Sequence, residues 1–308
     1  MNITPLVARQ VFIMLILIIV GFVLAKKNIV SERGASDMSN VLLTIVTPCV
    51  LIQAYQIECD AAIMREIGLA FLLSIVLHAV FIPLAYIVFM REKDIEKKKI
   101  NIFTSVYSNC GFMGIPLLAS TLGEKGVLLG SAYLAMFNII VWTHGLFLYG
   151  GNIKVLSAKN LVKNAGVMGS VVALILFFAR IRLAGVLEAS VDYIASLNTP
   201  LAMILLGAYL ARAKIGAALK NASMYAVMAM RLLIMPIAAA LLFALLGVDE
   251  MLATALILPA ACPSAAVGAL FAEKFGMDTG YPSQIVSVST VMSLATLPLV
   301  AYIASIVL

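Results

Sequence analysis

Charge is scarce in this chain: 21 basic and 15 acidic residues make up 12% of 308, against roughly 25% in a soluble domain. A water-soluble fold is excluded. Histidine occurs twice and cysteine four times. Cys49, Cys110 and Cys262 lie inside apolar stretches and Cys59 in a polar gap, without CxxC or Cys/His spacing, so neither a disulfide framework nor a metal site is expected. There is no HExxH, no GxSxG and no paired acid within an apolar stretch, which argues against an intramembrane enzyme. The absence of GxxxxGK[ST] argues against direct ATP drive.

What the chain has is apolar length. Hydrophobic residues are 63% of the total, and at about 20 residues per crossing they supply roughly nine or ten membrane spans. Hydropathy places these at 5–25, 37–57, 67–90, 101–122, 126–149, 165–182, 190–211, 222–247, 250–273 and 280–307. The first stretch runs on to Lys26 and Lys27 without a small-residue cleavage pattern and reads as a span, not a signal peptide. The net charge of +6 does not point to nucleic acid, because the basic residues sit in short gaps between apolar runs. Alternate gaps hold Lys26, Lys27, Arg33, Arg91, Lys93, Lys97, Lys98, Lys99, Lys154, Lys159, Lys163, Arg212, Lys214, Lys220 and Lys274; the opposite gaps hold Arg65, Lys125, Arg180 and Arg182. Basic residues stay on the cytoplasmic side, so ten spans in the cell membrane would leave both termini outside.

An internal repeat accompanies this pattern. A shift of 152 residues sets Ile45–Ile52 (IVTPCVLI) beside Leu197–Ile204 (LNTPLAMI), so that Thr47 and Pro48 fall on Thr199 and Pro200, and Cys110 falls on Cys262. Pro83 and Pro236 match within one residue of that shift. Five spans per copy is an odd number, so the copies, residues 1–150 and 151–308, would be inverted relative to each other. The expected fold is an all-α polytopic membrane protein of ten helices in two inverted five-helix repeats.

Helix breakers cluster at matched places in the two copies. The fourth span carries Asn109-Cys-Gly-Phe-Met-Gly-Ile-Pro116, with Gly111, Gly114 and Pro116, and the ninth carries Pro259, Pro263 and Gly268. Proline removes a backbone donor, and glycine permits unwound torsions. Opened backbone in hydrocarbon is costly unless it is buried in protein or lines a watery cavity, so the fourth and ninth helices are expected to break and cross. Half-helix N-termini there would present free N–H groups and positive dipole ends to an anion. A plain kink is the bland alternative for any one of these residues, and the Thr-Pro pairs read equally as hinges or packing kinks.

The stretches Asn109–Leu118 (NCGFMGIPLL), Pro263 with Phe271–Phe275 (FAEKF), and Leu201–Gly207 (LAMILLG) resemble the auxin efflux carrier family over nearly the whole chain. The resemblance implies a carrier with crossed fourth and ninth helices that moves organic anions such as auxin, malate or malonate. It implies a scaffold of helices 1, 2, 6 and 7, an elevator-like transport domain of helices 3–5 and 8–10, and a homodimer. Carried over by motif, Asn109 resembles the crossover asparagine, Asn138 a polar position lining the same cavity, and Ser264 a polar residue after Pro263. Cys110, Gly111, Met113 and Cys262 complete the expected solute-binding set. Three departures argue against auxin itself: Gly268 stands where plant carriers show a second proline, the loop Gly150–Asn164 is short, and the third span holds His78 but no acidic residue, lysine or arginine.

Other polar residues read as follows. Arg231, about ten residues into the eighth span, either balances a bound anion or, favoured, is a structural cation on backbone carbonyls reaching toward the cytoplasm. His78 is either a proton-coupling site or a hydrogen-bonded packing residue, and His144 carries less weight than His78. Glu273 and Asp192, at span ends, are expected either to meet solvent or to cap helices. Ala260, Ala261, Ala265, Ala266 and Ala269 would let another helix pass closely, and Trp142 is expected to face lipid or pack. The leading function is secondary transport of a small carboxylate or dicarboxylate. The alternative is a membrane sensor binding at the same crossing, which lacks an output domain. No cofactor is expected; sodium coupling, proton coupling and uniport stay open.

Overall fold

The computed structural model describes residues 3–58, 60–152, 165–213 and 221–308; Cys59, Lys154, Lys159, Lys163, Lys214 and Lys220 lie outside them. Within the described residues the fold is all-helical: α1 (Thr4–Lys26), α2 (Glu32–Ala54), α3 (Ala61–Val88), α4 (Ile95–Val106), α5 (Cys110–Gly150), α6 (Ala165–Phe178), α7 (Val186–Arg212), α8 (Ala222–Leu245), α9 (Glu250–Ala261), α10 (Val267–Lys274) and α11 (Gly280–Val307). Seven of these are long and apolar enough to cross a membrane.

Three of the others, α4, α9 and α10, are short for a physical reason. The expected fourth span is divided between α4 and the start of α5, and the expected ninth between α9 and α10, because the backbone unwinds between the parts. The expected fourth and fifth spans also run together as α5, but Gly123 turns the chain at φ 65°, ψ −158°, a corner that only glycine enters without strain.

Three helices that begin in the polar gaps are closed by side chains. Asp60 accepts from Ile63 N at 2.7 Å, Asp94 from Glu96 N at 3.0 Å, and Asp249 from Met251 N at 3.0 Å, each satisfying first-turn donors that have no partner in the helix. Apolar side chains such as Phe12, Leu72 and Ile87 stay exposed on the outer faces, as they must against lipid.

Glycines set the closest approaches. α1 crosses the Asn198–Arg212 part of α7, where a Cβ on Gly207 would fall 2.0 Å from the Ile18 carbonyl oxygen and one on Gly21 2.1 Å from that of Ile204. α6 lies on the Thr47–Ala54 part of α2, with Gly169 against Pro48. The first helix of each copy thus packs on the second helix of the other. Both Thr-Pro pairs follow a local irregularity: a wider π turn at Leu42–Val46, whose Leu42 carbonyl accepts from Thr47 Oγ1 at 2.9 Å, and the turn at Leu197 that precedes Thr199 and Pro200.

Candidate functional site

The two interruptions meet. After α4 the backbone is extended at Tyr107, and after α9 it is extended at Cys262. Ser108 and Ser264 pair antiparallel: Asn109 N donates to Pro263 O at 2.7 Å, and Ala265 N donates to Tyr107 O at 2.9 Å. Two unwound segments therefore satisfy each other's peptide groups where neither could stand alone in hydrocarbon.

The breakers sit differently from the expectation. Gly114, Pro116, Pro259 and Gly268 lie inside helical segments, and the chain opens at 107–109 and 262–266. Pro116 occupies a first α-helical turn, where a missing N–H costs little. The two glycines serve close packing: a Cβ on Gly114 would stand 3.0 Å from Pro259 Cβ, and one on Gly268 3.0 Å from Phe103 Cδ1.

Each side of the crossing has its own electrostatic character. Arg231, on a wider turn of α8 (Met230–Ile234), is fully buried. Its guanidinium donates to Ser105 O at 3.0 Å, to Val106 O at 2.7 Å and to Ala260 O. It thus closes the C-terminal ends of α4 and α9 together, and it does not reach toward the aqueous surface as expected. Two helix C-termini carry roughly −0.5 charge each, which together match one guanidinium. His78 stands five residues before Pro83 as Arg231 stands five before Pro236. It is buried, with Nδ1 2.8 Å from Ser74 O, and packs against Tyr133 at 5.1 Å between ring centroids.

The opposite side, where α5 and α10 begin, has no such closure. Neither helix has a side-chain cap, in contrast to those begun by Asp60, Asp94 and Asp249. These two N-termini border a cavity of about 930 Å³ that runs from Glu32, Arg212, Glu273 and Lys274 at helix ends down to Ser108 and Asn109 at the crossing. Asn109 is 6% exposed and its Nδ2 has no hydrogen-bond partner among the described residues; the same holds for Asn138 Nδ2. The cavity is therefore lined by two asparagines whose buried amide nitrogens lack a partner among the described residues and by two uncapped helix starts, with apolar walls from Phe112, Phe137 and Val141.

Of the residues expected to bind solute, Asn109, Gly111 and Asn138 line this cavity, and Thr47 does as well. Cys110, Met113, Cys262 and Pro263 are not among its lining residues. Ser264 is not either: its hydroxyl donates to Thr104 O at 2.8 Å and its N–H to Ser289 Oγ at 3.1 Å, so both donors are occupied inside the protein. Trp142, expected to face lipid or pack, lines the cavity beneath Lys274 Nζ, 5.9 Å from the ring. Asn198 was missed by the sequence reading. It is buried, and its Nδ2 donates to Gly111 O at 3.4 Å, joining α7 to the first turn of α5; its place just ahead of Thr199-Pro200 was the available signal.

The chain matches the membrane transport protein family over residues 6–160 and again over 151–301, one match for each copy of the repeat. It is 24% identical over 296 residues to an uncharacterized transporter of Methanothermobacter thermautotrophicus, covering 94% of this chain and 96% of the relative. It is 23% identical over 307 residues to an uncharacterized transporter of Methanocaldococcus jannaschii, covering 95% and 97%. A third relative, Protein ECM3 of Saccharomyces cerevisiae, is 28% identical over 149 residues, 45% of this chain and 24% of that protein. The chain belongs to the membrane transport protein family, that of the auxin efflux carriers, and is a multi-pass membrane protein.

Proposed function

We propose that this family member is a secondary carrier for a small organic anion, a carboxylate or dicarboxylate, working by alternating access. One observation carries the reading: two uncapped half-helix N-termini and the unpaired Asn109 amide converge on one cavity. With the C-terminal ends neutralised by Arg231, the N-terminal ends, roughly +0.5 each, are left to balance about one negative charge. A carboxylate placed there accepts from backbone N–H and side-chain amide without a lysine.

In this proposal the chain has ten spans in two inverted copies, the cavity mouth with Arg212 and Lys274 opens to the cytoplasmic side of the cell membrane, and both termini lie outside. On that reading the structure is inward-facing. Movement is elevator-like: helices 3–5 and 8–10 of the ten-span plan carry the crossing past a scaffold of helices 1, 2, 6 and 7, which also forms a homodimer. Contacts such as Asn198 to Gly111 lie across that boundary and must break as it slides. The energy source is an ion gradient, the membrane potential or the solute's own gradient.

The test is uptake or counterflow of a labelled dicarboxylate and a labelled monocarboxylate into proteoliposomes, with sodium, proton and potential gradients imposed separately. Uptake above protein-free vesicles, saturable and competed by unlabelled carboxylate, is expected. Binding without net movement under every gradient would instead favour a sensor.

A further inference from the structure

α5 widens into a π turn at Val141–Gly145, and that turn faces two ways. Trp142 and Val141 line the cavity. His144 turns back to the crossing: its Nδ1 lies 2.6 Å from the hydroxyl of Tyr107, and its Nε2 lies 3.3 Å from the hydroxyl of Tyr86 on α3. Tyr107 is fully buried, immediately precedes Ser108, and accepts from Ala265 N through its own carbonyl. A single imidazole thus joins the cavity wall, the crossing and α3.

Protonation of that ring changes who donates to whom. In the neutral ring one nitrogen accepts, and the short 2.6 Å contact fits the Tyr107 O–H donating to Nδ1 while Nε2–H donates to the Tyr86 oxygen. In the charged ring both nitrogens donate. Nδ1–H then points at the Tyr107 oxygen, and the Tyr107 O–H must turn to another acceptor; the Ile140 carbonyl, at 3.5 Å, is within reach. Other ionisable groups nearby are His78 on α3, which also packs on Tyr107 at 6.4 Å, Tyr133 and Tyr149 on α5, and the buried cation Arg231 on α8, which donates to the carbonyl of Val106 just before Tyr107. From α10, Lys274 lies over Trp142, with Glu273 beside it in sequence. No carboxylate pairs with His144 among the described residues.

We infer that His144 is a pH-sensitive positioning residue: taking up a proton reverses its bond to Tyr107, shifts the extended backbone at the crossing and adds one positive charge two residues from the cavity-lining Trp142. The apparent affinity for a carboxylate then tightens, at least about threefold, as pH falls through the titration of that ring. The transport part of this inference rests on the carrier reading above; the titration part does not.

Trp142, the chain's one tryptophan and two residues from His144, reports the titration without any solute. Its fluorescence is followed from about pH 4 to 8 in the full chain in nanodiscs, and uptake of labelled carboxylate is measured over the same range. The wild type should show a transition that His144→Gln abolishes; Tyr107→Phe should keep that transition but lose the pH dependence of uptake. A wild-type trace without a transition, or one unchanged in His144→Gln, overturns the titration. Equal pH dependence of uptake in Tyr107→Phe and wild type overturns the link to the crossing. A transition that behaves as expected beside an absence of any carboxylate uptake supports the titration and sinks the carrier reading instead. Should His144→Gln not fold, Tyr86→Phe removes only the Nε2 partner and should move the midpoint; an unmoved midpoint overturns the inference.

Discussion

The guanidinium of Arg231 on α8 donates to the carbonyl of Val106 at 2.7 Å, so a cation from a separate helix closes the last turn of α4. The same side chain reaches Ala260 O at the end of α9, which makes it the link between the two broken helices. Replacing it with Leu leaves buried carbonyls unsatisfied and two negative dipole ends facing each other. Arg231→Leu is expected to lower stability by about 3 kcal/mol or more, since hydrogen bonds to charged groups contribute about 1.5–3 kcal/mol each. Arg231→Lys, with the charge but not the planar fork, should fall between. Thermal unfolding of purified protein in detergent checks both.

Asn109 donates its backbone N–H to Pro263 O, and its buried side-chain Nδ2 at the cavity wall has no hydrogen-bond partner among the described residues. The two roles separate in Asn109→Ala, which keeps the backbone bond. Uptake should drop at least about tenfold, as for loss of one charge-assisted bond of about 1.5 kcal/mol or more, with the melting temperature little changed. Full transport by this variant would remove Asn109 from the site.

A methyl group at Gly207 would meet the Ile18 backbone oxygen at 2.0 Å. Backbone cannot swing aside as a side-chain tip can, so α1 and α7 must separate along their contact. Gly207→Ala should cost about 1–3 kcal/mol, and Gly68→Ala, with open space around it, should cost nothing measurable. Melting curves of the two variants side by side test this.

Outside the spans, Glu92 between α3 and α4 accepts from Ser223 Oγ at 2.8 Å. That hydroxyl, ahead of the backbone N–H of Asp94 and the charge of Lys97, holds the Glu92 carboxyl below its ordinary value of 4.5. A carboxyl lowered in the fold stabilises above its unfolded pKa and loses that contribution as pH falls through the folded value. Ser223→Ala should therefore melt lower than wild type at pH 7, and the gap should narrow as pH drops below about 4.5. A gap that is constant with pH would show that the carboxyl is not the cause.

The crossing was legible because hydrocarbon forbids unpaired backbone, so breakers at matched offsets in two apolar runs have few places to go. Its exact opening was not. Pro116 and Gly114 stand a full turn or more past the unwound residues, since proline suits a helix start and glycine at Gly114 admits Pro259. The weight given to His78 over His144 also rested on depth along a span, a one-dimensional measure blind to Tyr107, whose hydroxyl meets His144 Nδ1.

Apolar run lengths, the distribution of Lys and Arg, and the shared offset of Thr47-Pro48 with Thr199-Pro200 determined by themselves that this is a repeated, multi-span helical protein, because each follows from the thickness and polarity of a bilayer. Which carbonyls Arg231 closes, that Ser264 is used up internally while Trp142 meets the cavity, and that Asn198 reaches Gly111 were decided only by the tertiary structure. Those facts depend on which faces of distant helices are brought within hydrogen-bond range, and a helix's neighbours are not written in its own periodicity.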